Sequence, residues 1–137
     1  WSYPRGGDIS KEGETAVDIV SYAAHMAALI GAHIIKVKPP TSHLENTDAK
    51  MVYEKLNVPI ASLSDRIRNV VESCFNGKRI VVFSGGSSKG TNGLLEEIKE
   101  IYQGGGNGSI IGRNSFQRPK KQALKLLSEI IDIYKGK

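Results

Sequence analysis

Cysteine is almost absent from this sequence, since Cys74 is the only one among its 137 residues. One cysteine cannot close a disulfide within the chain, so a reducing compartment, the cytoplasm, is expected. Cys74 falls in a predicted amphipathic helix, where its expected role is packing. Aromatic residues are also scarce, at 7%. They form no stripe with basic residues and no zinc-finger spacing occurs, so the sequence predicts no nucleic-acid partner.

Long apolar runs and common ligand motifs are missing as well. No run of about 18 apolar residues is present and no secretory signal is recognisable, so we expect no membrane partner. His25, His33 and His43 lack the spacing of metal ligands, and we expect neither a metal nor another bound cofactor. The glycine-to-lysine spacing in residues 85–89 is not that of a nucleotide P-loop. No G-x-G-x-x-G motif follows a strand, which leaves a dinucleotide-binding fold with little support.

Basic residues are in surplus, and the formal net charge is +5. Either a solvated, lysine-rich surface or an anionic ligand accounts for this surplus. The first seven residues, WSYPRGG, have the character of a strand end entering a loop, and no initiator methionine precedes them. The sequence therefore predicts a single domain over residues 1–137 that is a piece of a longer protein.

Predicted strands alternate with predicted amphipathic helices along the chain. After the strand end at residues 1–7, the prediction gives helices at 14–30, 48–56, 64–75, 94–103 and 119–134, and strands at 32–38, 79–84 and 109–112. Ser64 is the expected N-cap of the third helix, and residues 113–118 are expected to form a loop. This order predicts an α/β fold with a parallel sheet. A doubly wound open sheet and part of a β/α barrel both satisfy it.

In both architectures, function lies at the carboxyl ends of the strands. All four predicted ends carry a cation, and two of them carry glycines. The residues at these ends are Trp1, Tyr3, Arg5, Lys36, Lys38, Ser84, Gly85, Gly86, Lys89, Gly112, Arg113 and Asn114. Glycine allows backbone N–H groups to approach an anion, although it also serves tight turns. Two glycine-rich ends side by side, one of them with Arg113, predict a phosphate site.

Lys36 and Lys38 are two apart in an otherwise apolar strand, so their side chains share one face. Burial and a neighbouring cation both disfavour the charged form of an amine. Part of Lys36 is then a free amine, able to form a Schiff base with a carbonyl. Lys38 is that cationic neighbour, or is simply solvated beyond the strand end. Tyr3 precedes Pro4, which favours an extended backbone. A tyrosine facing the same cavity can transfer protons, whereas an aromatic plug is the other interpretation of Tyr3 and Trp1.

Four separated motifs carry a resemblance to a known family: WSYPRGG, GAHIIKVKPP, RIVVFSGG and GSIIGRNSFQRP. In sequence and in order they closely resemble the archaeal-type class I fructose-bisphosphate aldolases, which also occur in many bacteria. The chain resembles the C-terminal half of such an enzyme, from the end of the fifth barrel strand to the eighth helix. The resemblance implies an eight-stranded β/α (TIM) barrel. It also implies a metal-independent Schiff-base lyase that cleaves fructose 1,6-bisphosphate in glycolysis and gluconeogenesis.

The resemblance also implies roles for individual residues. Lys36 matches the Schiff-base lysine, Tyr3 the catalytic tyrosine and Trp1 a residue that contacts the substrate. The phosphate-binding backbone matches Ser84, Gly85, Gly86, Gly112 and Arg113. Arg5 and Lys38, at neighbouring strand ends, are further expected contacts of the substrate or its phosphates.

The expected partners are a phosphorylated sugar, further copies of the chain and the N-terminal half of the barrel. Because that half would supply part of the substrate wall, we expect little or no activity from this chain alone. Two alternatives stay open. One is a related Schiff-base aldolase or acyl transferase that acts on another phosphorylated ketose. The other is a non-catalytic module that binds phosphorylated sugars.

Overall fold

The computed structural model describes residues 1–85 and 90–136. Within them, three strands form one parallel sheet in chain order, namely β1 (Ile34–Val37), β2 (Ile80–Ser84) and β3 (Gly108–Ile110). In register, Lys36 lies opposite Val82, and Val82 lies opposite Gly108. Strands that are neighbours in sequence are also neighbours in space, as in a β/α barrel. A doubly wound sheet instead reverses its strand order at a switch point. The α/β prediction with parallel strands is confirmed.

Helices connect the strands, and the boundaries of all of them except α5 agree with the prediction to within one turn. They are α1 (Val17–Leu29), α2 (Thr47–Lys55), α3 (Leu63–Ser73), α4 (Thr91–Gln103), α5 (Arg113–Phe116) and α6 (Lys120–Tyr134). A 3-10 turn, Gly13–Thr15, precedes α1. Of the helices in the described ranges, none has the length and apolar character needed to cross a membrane.

The predicted loop at residues 113–118 is wrong, because a helical turn, α5, forms there. The N–H groups of Ser115 and Phe116 both donate to the carbonyl oxygen of Gly112, at 2.8 and 3.2 Å. One turn contains too few residues to show a helical period, so the hydrophobic pattern cannot distinguish it from a loop.

The predicted N-cap of α3 is also wrong, since Ser62 and not Ser64 begins the helix. The hydroxyl of Ser62 accepts from the N–H of Asp65 at 3.1 Å, and the Asp65 carboxylate accepts from the N–H of Ser62 at 3.3 Å. This reciprocal pair is a capping box. The hydrogen bond from the Ser62 hydroxyl also holds the pKa of Asp65 below its usual range. The acidic residue three positions later therefore decides between two adjacent candidate serines.

The main core lies between the sheet and helices α1, α3 and α4. Ile35 and Val37 of β1 and Val81 and Phe83 of β2 are at most 1% exposed. Because strand side chains alternate, Lys36 lies on the opposite face of the sheet. The other buried members of this core are Val20, Ala24, Ala28, Ile67, Val70, Cys74 and Ile101.

Cys74 is fully buried in this core, which confirms its predicted packing role. Burial raises the pKa of its thiol, so little reactive thiolate forms near neutral pH. A second, smaller cluster joins α4 to α6 through Leu94, Ile98, Leu126 and Ile130.

β3 differs from the buried strand predicted at residues 109–112. It is three residues long, and Ile110 is 46% exposed. In the part of the chain that the structure describes, β3 pairs with β2 on one side only. An exposed apolar side chain beside an unpaired edge is a surface that further strands would cover.

Gly104, the C-cap of α4, offers a test of how closely α3 and α4 pack. A Cβ at this position would lie 2.5 Å from the carbonyl oxygen of Ser64 and 2.6 Å from Cβ of Ile67. Gly104 has φ −75°, so alanine fits the backbone and only the crowding opposes it. We expect Gly104→Ala to lower the free energy of unfolding by about 1–3 kcal/mol.

The matched control is Gly93→Ala in the same helix. A Cβ at Gly93 meets nothing within 4 Å. Alanine favours the helix over glycine by about 1 kcal/mol, so this change is expected to be neutral or stabilising. Urea unfolding of both variants measures the difference. Equal stabilities would show that the close approach of α3 and α4 is not as described.

Candidate active site

Residues 1–5 run beside β1 and supply the first part of the site. The N–H of Ser2 donates to the carbonyl oxygen of Lys36 at 2.9 Å, and its hydroxyl donates to the carbonyl oxygen of Ala23 at 2.7 Å. No strand is assigned to residues 1–5. The predicted strand end is therefore an extended segment that is hydrogen-bonded to β1 and tied to α1.

Lys36 lies against the two aromatic rings of this segment. Its Nζ is 3.8 Å from the ring centroid of Trp1 and 5.9 Å from that of Tyr3. The two ring centroids are 6.1 Å apart, as expected for residues two apart in an extended backbone. Within the described ranges, no carboxylate forms an ion pair with Lys36. In the described part of the chain, the Lys36 amine is therefore held by aromatic contacts and not by an ion pair.

The side chains of Trp1, Tyr3 and Lys36 all have exposed surface. Trp1 is 90% exposed, and Lys36 and Tyr3 are partly exposed. In the described part of the chain, neither ring is enclosed by other residues, and the interpretation of Trp1 and Tyr3 as an aromatic plug of the closed barrel stays an open prediction. An open face carrying an amine and a phenol suits a bound carbonyl compound.

Lys38 has a different environment from Lys36, although their side chains share a face. Its Nζ is 5.9 Å from the ring centroid of Tyr3 and 3.8 Å from Oε2 of Glu14. Its side chain is 34% exposed, and that of Glu14 is 13% exposed. Lys38 is thus neither simply solvated nor unpaired. Sequence analysis did not single out Glu14, because no motif distinguishes it from other acidic residues.

The glycine-rich ends of β2 and β3 stand next to each other at the same edge of the sheet. Ser84 pairs in register with Ile110. The N–H of Gly85 donates to the carbonyl oxygen of Ile110 at 3.1 Å, so in this arrangement Gly85 does not offer that N–H to an anion. Gly86 and Lys89, which were also predicted at this end, lie outside the described residues.

The end of β3 leads directly into α5. Gly112 is the N-cap of α5 and Arg113 is its first residue, and both are exposed, as is Arg5 in the first loop. Arg118 fixes the position of α5. Its Nε donates to the carbonyl oxygen of Asn114 at 2.6 Å, and its Nη1 donates to the hydroxyl of Thr91 at the start of α4 at 2.6 Å. The role of Arg118 was missed, although it lies within the GSIIGRNSFQRP motif.

Two of the three histidines, His25 and His43, form hydrogen bonds within the fold, and His33 is exposed. Nδ1 of His25 is 2.7 Å from the carbonyl oxygen of Ser73, and Nε2 of His43 is 2.8 Å from Oε2 of Glu45. Among the residues that the structure describes, no three histidine, cysteine or acidic side chains form a group that could hold a metal ion.

A groove of about 740 Å³ lies elsewhere, among α1, α2 and α3. Its polar lining is engaged in internal hydrogen bonds, since both the Ser21 and Tyr53 hydroxyls donate to Oδ1 of Asn69, at 2.9 and 2.7 Å. Burial raises the pKa of Tyr53. We place the site at the strand ends despite the size of this groove, because the Lys36 amine and the exposed cations are at the strand ends.

A sequential parallel sheet with helical connections and a lysine at a strand end is the arrangement found in part of a β/α barrel. The sequence profile of the DeoC/LacD family aldolases matches residues 1–118. The chain belongs to this family. The predicted resemblance to class I fructose-bisphosphate aldolases is thereby confirmed at the level of the family.

Individual relatives agree with this assignment. The chain is 36% identical to a protein of Chlamydia muridarum named a probable fructose-bisphosphate aldolase class 1, over 98% of this chain and 41% of that protein. It superposes on an archaeal fructose 1,6-bisphosphate aldolase with a TM-score of 0.73 and 30% identity, over 100% of this chain and 44% of the other. It also superposes on a Schiff-base-forming fructose-1,6-bisphosphate aldolase with a TM-score of 0.71 and 28% identity, over 97% of this chain and 43% of the other. The chain thus spans less than half the length of these relatives, as a partial barrel.

Proposed function

We propose that this chain carries the Schiff-base side of a class I aldolase site that cleaves fructose 1,6-bisphosphate. The observation that carries the proposal is the placement of the Lys36 amine, 3.8 Å from the Trp1 ring centroid and 5.9 Å from the Tyr3 ring centroid at an open strand end. The names of the relatives support the choice of substrate, and the partly exposed Lys36 side chain supports the choice of nucleophile.

The proposed reaction begins when the free amine of Lys36 adds to the C2 carbonyl of the open-chain ketose. Loss of water from the carbinolamine gives an iminium ion, covalently bound to the enzyme. The C3–C4 bond then breaks, and its electron pair moves to the iminium to give an enamine. Tyr3, acting as the phenolate, accepts the proton of the C4 hydroxyl as that oxygen becomes the aldehyde of glyceraldehyde 3-phosphate, and the phenol so formed supplies the proton that the enamine takes up in the next step. Protonation of the enamine at C3 and hydrolysis of the iminium release dihydroxyacetone phosphate and regenerate the Lys36 amine.

The ends of β2 and β3 are the proposed region for a substrate phosphate. Ser84 and Gly85 lie there, and Gly112 and Arg113 follow β3 with exposed surfaces. Arg5 adds a further exposed cation at the first strand end. Because the iminium supplies the electron sink, this mechanism requires no metal. The cytoplasmic location and assembly with further copies of the chain stay predictions.

A barrel completed by other strands is part of the proposal, because the relatives are more than twice as long as the chain. We expect the 137-residue chain alone to give at most about 1% of the turnover of a completed barrel, since its substrate wall is only partly present. The measurement compares this chain with the same chain joined to the N-terminal part of the Chlamydia muridarum relative, here called the completed barrel. Turnover of the chain alone near that of the completed barrel would contradict this expectation.

Borohydride trapping tests the reaction class. With dihydroxyacetone phosphate, we expect the completed barrel to gain a reduced adduct on the peptide that contains Lys36. A panel of phosphorylated ketoses then identifies the substrate, and preferred cleavage of another ketose would replace fructose 1,6-bisphosphate in the proposal. Phosphate-dependent ligand binding without any adduct would instead favour a non-catalytic module.

A further inference from the structure

Glu14 is the one acidic side chain described next to the lysine pair. Its Oε2 lies 3.8 Å from Nζ of Lys38, and its two carboxylate oxygens each accept from Nζ of Lys11 at 3.0 Å. The Glu14 side chain is 13% exposed, and the side chains of both lysines have larger exposed fractions. A carboxylate with little exposure beside Lys38 offsets the charge that the sequence places two residues from Lys36.

The loop that carries Glu14 is firmly attached to the loop that follows β1. The Glu45 carboxylate accepts from the N–H of Ser10 at 2.6 Å and from its hydroxyl at 2.8 Å, and His43 is 2.8 Å from the same carboxylate. Glu45 lies directly over Gly13, where any Cβ would collide with the carboxylate. A side chain at position 13, immediately before Glu14, would displace the Glu45 carboxylate from its hydrogen bonds with Ser10 and so weaken the connection between the two loops.

Further bonds join the same two loops. The N–H of Thr41 donates to the carbonyl oxygen of Thr15 at 2.8 Å, and the N–H of Val17 donates to that of His43 at 3.0 Å. Asp18, buried at the start of α1, accepts from the N–H groups of Glu45 and Asn46. These bonds hold the Glu14 backbone on both sides, so the Glu14–Lys38 contact does not depend on a free loop.

The charged groups that face this pair come from two segments. Lys11 and Arg5 face Glu14 from the first loop, and Lys38 faces it from the end of β1. The hydrogen bond from Lys11, with the charges of Lys11, Arg5 and Lys38, holds the pKa of Glu14 below its usual range. The loop after β1 contributes one titratable pair, His43 with Glu45. Hydrogen bonds from the Ser10 backbone and from His43 hold the pKa of Glu45 below its usual range.

The ion pair between Glu14 and Lys38 makes Lys38 a poor phosphate ligand. A substrate phosphate placed on Lys38 would also face the carboxylate of Glu14, which repels it. The Lys36 and Lys38 ammonium groups each lie 5.9 Å from the Tyr3 ring centroid, so the two charges are close to the same ring. Lys38 is therefore better suited to set the charge around Lys36 than to bind a phosphate.

We propose that Glu14 is a positioning residue that, through its ion pair with Lys38, sets the net charge beside Lys36 and hence the pH range in which the Lys36 amine is free. The proposal rests on the proposed function, because only a Schiff-base role makes that pH range matter. With Glu14 present, part of the charge of Lys38 is offset, since the same carboxylate is shared with Lys11. Without it, an uncompensated cation two residues away disfavours the charged form of Lys36.

The expected size follows from Coulomb's law. Two residues of a strand span about 7 Å, and unit charges at that separation in a water-like medium shift a protonation midpoint by about half a pH unit. Salt screens exposed charges at this distance, so the shift should shrink as ionic strength rises from 0.01 M toward about 1 M.

The test is competitive labelling of the 137-residue chain with acetic anhydride across a pH series. Peptide mass spectrometry gives the midpoint of labelling at Lys36. We expect Glu14→Gln to lower this midpoint by about half a pH unit, because Lys38 loses its counter-charge, and Lys38→Met to raise it, because Glu14 is then unopposed. Shifts of opposite sign are the signature of charge, since a merely structural change has no reason to reverse direction.

Glu96→Gln is the matched control, because Glu96 forms a 2.8 Å ion pair with Lys99 on α4, and it should leave the Lys36 midpoint unchanged. Labelling of the exposed Lys50 on α2 should be the same in every variant. The proposal is overturned if the labelling midpoint of Lys36 shifts in neither variant or in only one of them. It is also overturned if the midpoint shifts in the same direction in both. Because the labelling uses no substrate, its result is independent of whether dihydroxyacetone phosphate forms an adduct.

Discussion

Replacing Lys36 by methionine should abolish the borohydride-trapped adduct with dihydroxyacetone phosphate in the completed barrel. Methionine keeps the length and the apolar stem of the side chain but has no amine to attack a carbonyl. Loss of a covalent nucleophile typically costs on the order of 10⁶-fold in turnover, so cleavage of fructose 1,6-bisphosphate should fall below detection. Peptide mass mapping after reduction, together with a coupled assay for glyceraldehyde 3-phosphate, measures both effects.

The matched control is Lys50→Met, which removes an exposed lysine of α2 and should leave adduct and turnover unchanged. Phosphate-dependent binding of the substrate should survive in Lys36→Met, because the proposed phosphate region is at the ends of β2 and β3 and not at β1. An adduct that persists in Lys36→Met, or that maps to Lys38 in the parent protein, would show that the nucleophile has been assigned to the wrong residue.

Replacing Tyr3 by phenylalanine should lower turnover by about 10²–10⁴-fold, the usual contribution of a positioned proton-transfer group. The ring that faces both lysines is kept, and only the phenolic hydroxyl is lost. Binding of the substrate should therefore change little, so that kcat falls much more than KM changes. Steady-state kinetics of the completed barrel measures the two constants separately.

Tyr22→Phe is the control for Tyr3→Phe. Tyr22 is an exposed tyrosine of α1, and loss of its hydroxyl should affect neither constant. If Tyr3→Phe instead raises KM with kcat unchanged, the hydroxyl binds the substrate and does not transfer its proton. If it changes neither constant, Tyr3 is a packing residue of the strand end.

The elements of the fold follow largely from local sequence. The apolar runs of β1 and β2 and the helical periods of α1, α3, α4 and α6 each span several residues, which is enough to show a period of 2 or 3.6. The sequence missed α5 because one turn shows no period. It misplaced the start of α3 because Ser62 and Ser64 are both acceptable caps, and the carboxylate of Asp65 decides between them.

The sequence alone placed an amine, a tyrosine and glycine-rich turns at strand ends, since parallel strands bring their carboxyl ends to one edge. The tertiary structure decided which groups contact each other. It put Lys36 against Trp1 and paired Lys38 with Glu14, which is 24 positions earlier in the chain. It also committed the N–H of Gly85 to Ile110. The physical reason is range: periodicity and turn chemistry act over a few residues, whereas ion pairs and ring contacts form between segments that only the folded backbone brings together.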